Sequence, residues 1–127
     1  MAPPFELQPH LIGDFVELLP LREDDFERLF AVAVDPLIWE QHPNFDRYKR
    51  EVFEQFFRDA MASGGAFLII DRSDSRVIGS SRYFGFDPVE SEIEIGWSFL
   101  ARTHWGGRYN HEMKRLQLVG RRRIALA

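Results

Sequence analysis

The stretch EIEIGWSFLARTHWGGRYNHEMKRL, residues 92–116, places a strand pattern, a glycine pair and a helix pattern in direct succession. Across 92–100, Glu92, Glu94, Gly96 and Ser98 alternate with Ile93, Ile95, Trp97 and Phe99, the period of two expected of a strand with one buried face. A helix is expected from about Asn110. Between the two lie Arg102, His104, Trp105, Gly106, Gly107 and Arg108. A helix N-terminus offers unpaired N–H groups and a partial positive charge, so anions settle there. Glycines let the main chain approach such an anion closely, and arginines add charge-assisted hydrogen bonds. On chemistry alone the segment reads equally as a phosphate cradle and as a plain strand-to-helix turn with solvated arginines. Neither GxxxxGK[ST] nor a GxGxxG opening a helix is present, which sets aside the mononucleotide and dinucleotide loops.

Upstream, AFLIID (66–71) and RVIGSSRYFGF (76–86) read as strands joined by the turn DRSDS (71–75), with Asp87-Pro88 as the turn into 92–100. Before them, Asp46 is expected to cap a helix running to about Met61. Its apolar stripe is Val52, Phe53, Phe56, Phe57, Ala60 and Met61, and Ser63-Gly64-Gly65 stops it. PLIWEQHP (36–43) reads as a short turn-like helix. In LREDDFERLFAVAVD (21–35), leading acids and the spacing of Phe26, Leu29, Phe30 and Ala33 indicate another helix. A first strand is expected near 14–19, ended by Pro20. This order of elements is α+β, a mainly antiparallel sheet flanked by helices.

The 127 residues show no linker, repeat or low-complexity tract and are read as one domain over 1–127. A hydrophobic content of 45%, with twelve phenylalanines, suffices for a core. No apolar run approaches the roughly 20 residues that cross a bilayer, and MAPPFELQPH lacks the pattern of a signal peptide. The absence of cysteine excludes disulfides and thiol catalysis and fits a cytoplasmic protein. A net charge of −4 argues against a nucleic-acid partner, and no membrane partner is expected. Positive charge gathers late in the chain, from Arg102 through Arg121–Arg123, so an anionic ligand is expected there. His10, His42, His104 and His111 lack metal-type spacing, so no metal is expected. Gly79-Ser80-Ser81-Arg82-Tyr83 is no nucleophile elbow, because tyrosine stands where the second glycine belongs. Trp39, Phe45 and Tyr48 read as core, or as the lining of an acceptor site.

The 92–116 stretch resembles motif A of the GNAT superfamily of acyl-CoA N-acyltransferases, nearest the branch of the ribosomal-protein alanine acetyltransferases. The matching residues are Glu94-Ile95-Gly96-Trp97, then Trp105-Gly106-Gly107-Arg108-Tyr109-Asn110, then Glu112-Met113-Lys114; Val77-Ile78-Gly79-Ser80 resembles the family's V-I-G segment. The similarity spans roughly 11–118. The resemblance implies an acetyl-CoA cosubstrate whose pyrophosphate lies on the amides of about Trp105 to Asn110 and whose arm follows 92–99; on charge alone, Arg102 and Arg108 are the arginines expected to add bonds to the phosphates. It implies direct attack by a small-molecule or protein N-terminal amine, with backbone N–H groups near Ile95, Gly96 and Trp97 stabilising the developing charge. A base must take the amine's proton. Glu94 is the candidate, with Glu92 and then His104 behind it; an exposed glutamate paired across the strands is the plainer alternative for Glu94.

Two departures stand out. Arg108 occupies the place of a second glycine in many relatives. Gln117 falls on the apolar stripe with Met113, after which 118–127 supplies a helix breaker, three arginines and a small apolar tail in place of the family's further strand, helix and hairpin. The expectation is therefore an incomplete, N-terminal portion of the fold with an atypical tail. Such a chain would leave 92–100 as an open edge through which two copies could pair, forming a homodimer. The alternative function is an inactive remnant binding CoA or a protein partner; an RNA-associated module using the arginine tail is disfavoured by the acidic total.

Overall fold

The computed structural model describes residues 10–87 and 92–126, with side chains over 10–84 and 94–119. Five antiparallel strands form one sheet in chain order: β1 (Leu11–Ile12), β2 (Val16–Pro20), β3 (Ala66–Asp71), β4 (Arg76–Asp87) and β5 (Glu92–Leu100). Two helices, α1 (Phe26–Ala33) and α2 (Arg50–Ser63), lie between β2 and β3 in the chain; α3 (Arg108–Leu126) follows β5. Asp87, expected to open the turn into 92–100, closes β4, and the rest of that turn, from Pro88, falls outside the described residues. The sheet class and the order of elements match the sequence-based expectation.

β3 shows why two layers of helix are needed. All six of its residues are buried. Ala66, Leu68 and Ile70 join a cluster with Leu29, Phe53, Phe56, Phe57 and Ala60 of α1 and α2. Phe67 and Ile69 join Leu18, Tyr83, Met113 and Leu116 on the α3 side. Alternation along a strand sends successive side chains to opposite faces, and here each face finds an apolar partner.

Some boundaries move. The strand expected near 14–19 is β2 and begins at Val16, because Gly13-Asp14 turns the chain back and lets Leu11–Ile12 pair with it as β1. The α2 helix starts at Arg50 rather than near Asp46: Asp46 sits in a preceding turn, its carbonyl accepting from Lys49 N at 3.0 Å, and Lys49 takes the N-cap position. Gly64 ends α2 at φ +69°, the left-handed conformation glycine supplies without strain. α3 begins at Arg108, two residues before the expected start. It also continues past Gly120 to Leu126, since an interior glycine costs only about 1 kcal/mol relative to alanine.

The polar residue on the α3 stripe has its reason in the sheet. Gln117 is fully buried; its Oε1 accepts from Ser81 Oγ at 2.9 Å, and its main-chain carbonyl accepts from the Tyr83 hydroxyl. The helix pattern therefore does not fail at Gln117. It changes from apolar contact to hydrogen bonding with β4.

Candidate functional site

The clean alternation expected of β5 breaks at its middle. Arg82 lies opposite Gly96, but Ser80 lies opposite Phe99, so β5 carries one residue more than β4 between these pairs. The extra residue makes a bulge, with Trp97 at φ +56°. A one-residue insertion reverses the phase of everything beyond it. Ile95 packs on the α3 side, whereas Phe99 joins Trp39 and Phe53 on the α1–α2 side, and Ser98 sits 2.7 Å from Ser81 Oγ on the α3 side. A left-handed tryptophan carries backbone strain, of the order of 1–3 kcal/mol, of the kind concentrated at functional sites.

Beyond β5, residues Arg102–His104 form a tight turn that is pinned from inside. His104, the third candidate base, is buried; its Nε2 lies 2.8 Å from Asp71 Oδ2, its Nδ1 lies 2.8 Å from Thr103 Oγ1, and its ring packs edge-on against Tyr109. Burial pushes the Asp71 carboxyl up, but hydrogen bonds from Ser73 and His104 outweigh it and hold it below its ordinary range. Trp105 is exposed, yet its Nε1 donates to Leu100 O at 2.9 Å, closing the loop against the end of β5.

Gly106 and Gly107 then take φ +89° and +86°, and a Cβ on either would meet open space. Their conformation, not crowding, calls for glycine. Trp105 N is spent on Arg102 O at 3.2 Å, and His111 N makes the first regular helical bond, to Gly107 O. Among the described residues the amides of Gly106, Gly107, Arg108, Tyr109 and Asn110 take no backbone acceptor. Gly106, Gly107, Asn110 and Met113 line one wall of a groove of about 400 Å³; Ser98, Phe99 and Leu100 of β5 form another, and Ile38, Trp39 and His42 a third. This open groove, with free donors at a helix start, can hold an anion with an apolar arm alongside it.

The other expected site residues scatter. Arg102 donates from Nε to Asp35 Oδ2 at 2.5 Å, and that bond holds the Asp35 carboxyl below its ordinary range. Arg108 turns the other way, its guanidinium 4.9 Å from the Phe15 ring. Glu94 is exposed and lies opposite Phe84. Glu112, which the resemblance matched without a role, is 4% exposed and accepts from the amides of Asp14, Phe15 and Val16 at 3.0, 2.7 and 2.8 Å. Trp39 is core, donating to Ala33 O at 2.8 Å, whereas Phe45 is exposed. The described residues contain no cluster of three potential metal ligands, and none of their helices is long and apolar enough to cross a membrane.

Residues 16–119 match the family model of the acetyltransferase (GNAT) domain. Solved structures with the same fold include a GCN5-related N-acetyltransferase from Brucella melitensis (TM-score 0.73, 22% identity, covering 93% of this chain and 57% of that one). A GNAT-family acetyltransferase from Bacillus anthracis aligns with TM-score 0.70 and 15% identity, covering 87% of this chain and 64% of that one. Spermidine N-acetyltransferase from Vibrio cholerae, in complex with CoA and spermine, aligns with TM-score 0.61 and 14% identity over 86% of this chain and 64% of that one. The chain thus spans about three fifths of these proteins' length. No curated protein matches it at a significant level. Neither the family model nor the solved structures single out the ribosomal-protein branch.

Proposed function

The chain belongs to the GNAT acetyltransferase family, and on that premise we propose that it binds acetyl-CoA and transfers the acetyl group to an amine, of a small molecule or a protein N-terminus. The observation that carries this reading is the run of unspent amides from Gly106 to Asn110, of whose residues Gly106, Gly107 and Asn110 line the groove beside a bulged strand. Those amides and the start of α3 would hold the pyrophosphate, and the groove wall from Ser98 to Leu100 would follow the pantetheine arm. When bound, acetyl-CoA supplies an activated acyl thioester. The bulge leaves Trp97 outside the register with β4, and backbone N–H groups near it would stabilise charge on the acyl oxygen. Glu94 is assigned the amine's proton; being exposed, it can receive it directly or through water.

Calorimetric titration with CoA and with 3′-dephospho-CoA tests the binding half. Saturable binding of both, weakened in Gly107→Ala, is expected; no binding removes the reading. Thiol release from acetyl-CoA with a panel of amines tests transfer, with Glu94→Gln expected to lower kcat by about 10²-fold at neutral pH. A second reading, CoA binding without turnover, is favoured by β5 having a strand on only one side among the described residues. Binding with no thiol release on any amine would select it.

A further inference from the structure

Two arginines sit on the α1–α2 side of the sheet with no carboxylate in contact among the described residues. Arg82, on β4, is 5% exposed, and its Nε and Nη2 are buried with no hydrogen-bond partner. Arg47, from the connection before α2, is 7% exposed. Neither has a hydrogen bond or ion pair among the described residues. Both guanidiniums lie on the same rings: 4.7 and 5.4 Å from the Phe56 centroid for Arg47 and Arg82, and 5.3 and 4.5 Å from that of Trp97. Arg47 also faces Trp39 at 5.7 Å.

Aromatic faces offset part of the cost of burying a cation, but they leave the N–H edges unsatisfied. Burial depresses the pKa of both arginines, and the charge of Arg47 depresses that of Arg82 further; Asp46 and Asp59 oppose this only through space, for Arg47 and Arg82 respectively. A pair of like charges held this way lacks an acceptor. The rings supply no hydrogen-bond acceptor, and the unpartnered Nε and Nη2 of Arg82 lie on one forked group of donors, a set that matches a planar carboxylate with its two oxygens. The cover over the pair is Trp97, which is 43% exposed and belongs to the strained bulge of β5. Arg82 lies directly opposite Gly96, so the pair borders the place where the acyl group would react.

We propose that Arg47 and Arg82 form a carboxylate-recognising subsite, entered past Trp97, which selects an acceptor amine that also carries an acidic group. The assignment of the bound molecule as acceptor rests on the acyl-transfer reading; the anion site itself does not. The acceptor class is then an amino acid or an acidic peptide N-terminus rather than a polyamine.

The test uses the full chain; the carboxylate titrations are run without CoA, and CoA binding is titrated separately. Succinate and glutamate are titrated against tryptophan fluorescence and by calorimetry, with succinamide and glutamine as neutral counterparts and sulfate as a non-planar anion. Saturable binding of the carboxylates, at least tenfold weaker for the amides and for sulfate, is expected. Arg47→Gln should weaken carboxylate binding at least tenfold and leave CoA binding unchanged. Arg82→Lys, which keeps the charge and loses the fork, should weaken it less than Arg82→Gln. Trp97→Phe should reduce the fluorescence response while the calorimetric signal persists. If Arg82→Gln does not fold, Arg47→Gln alone decides. Equal binding of amide and acid, equal binding of sulfate, or wild-type binding in Arg47→Gln overturns the proposal. Carboxylate binding with no CoA binding keeps the anion site and removes its role in acceptor selection.

Discussion

Glu112 places a buried carboxylate under three successive amides of the turn between β1 and β2. Burial alone would raise its pKa; the bonds from Val16, Phe15 and Asp14 outweigh that and lower it below the ordinary glutamate value. A lowered folded pKa means that its contribution to stability is fully present above the unfolded value and is lost as pH falls through the folded one. Melting temperature should therefore fall between neutral pH and about pH 3, and Glu112→Gln should flatten that decline. At neutral pH the Gln variant should lose on the order of 2 kcal/mol, read by urea unfolding, because an amide cannot accept all three bonds. An unchanged profile in Glu112→Gln contradicts this account. A Cβ on Gly13 would lie 2.3 Å from Glu112 Oε1, so Gly13→Ala should show the same loss by displacing the carboxylate. None of this was legible in the sequence: a glutamate in a helix reads as surface, and the partners lie nearly a hundred positions away. Arg82 was hidden for the same reason, since only the folded sheet shows that it has no acceptor.

At the scale of elements, the glycine pair before α3 allows a controlled comparison. Gly64, Gly106 and Gly107 all have positive φ and open space where a Cβ would go, so alanine at each imposes backbone strain of about 1–2 kcal/mol without a clash. Gly64 caps α2 away from the groove, whereas Gly106 and Gly107 line it. All three variants should lower the melting temperature alike, but only Gly106→Ala and Gly107→Ala should weaken CoA binding, by about tenfold. Equal CoA affinity in all three would show that the loop geometry does not serve the ligand. Most elements were readable from periodicity: the phenylalanine stripe of α2 and the wholly apolar β3 need no tertiary information. The bulge in β5 was not readable, because Glu92 to Phe99 alternates without fault in the sequence. The insertion follows from β4's register, which local pattern does not encode.

For the molecule as a whole, the sheet ends at β5, which pairs only with β4 among the described residues. An open strand edge is a template for pairing with another chain, so light scattering after gel filtration should show mean mass rising with protein concentration. A constant monomer mass up to about millimolar concentration, where the weakest such pairings register, would refute this. The α+β class and the glycine loop were legible because they rest on local pattern and on the resemblance of one motif. The division of the core into two faces was legible only where a strand is apolar throughout. That strand, β3, has a second life before folding. Six contiguous residues that are all buried in the native sheet, with five of them uncharged and apolar, are adhesive when unfolded. Recovery from denaturant should therefore decline as the chain is refolded at higher concentration. The same segment that knits both layers together makes every unfolding event a risk of irreversible loss.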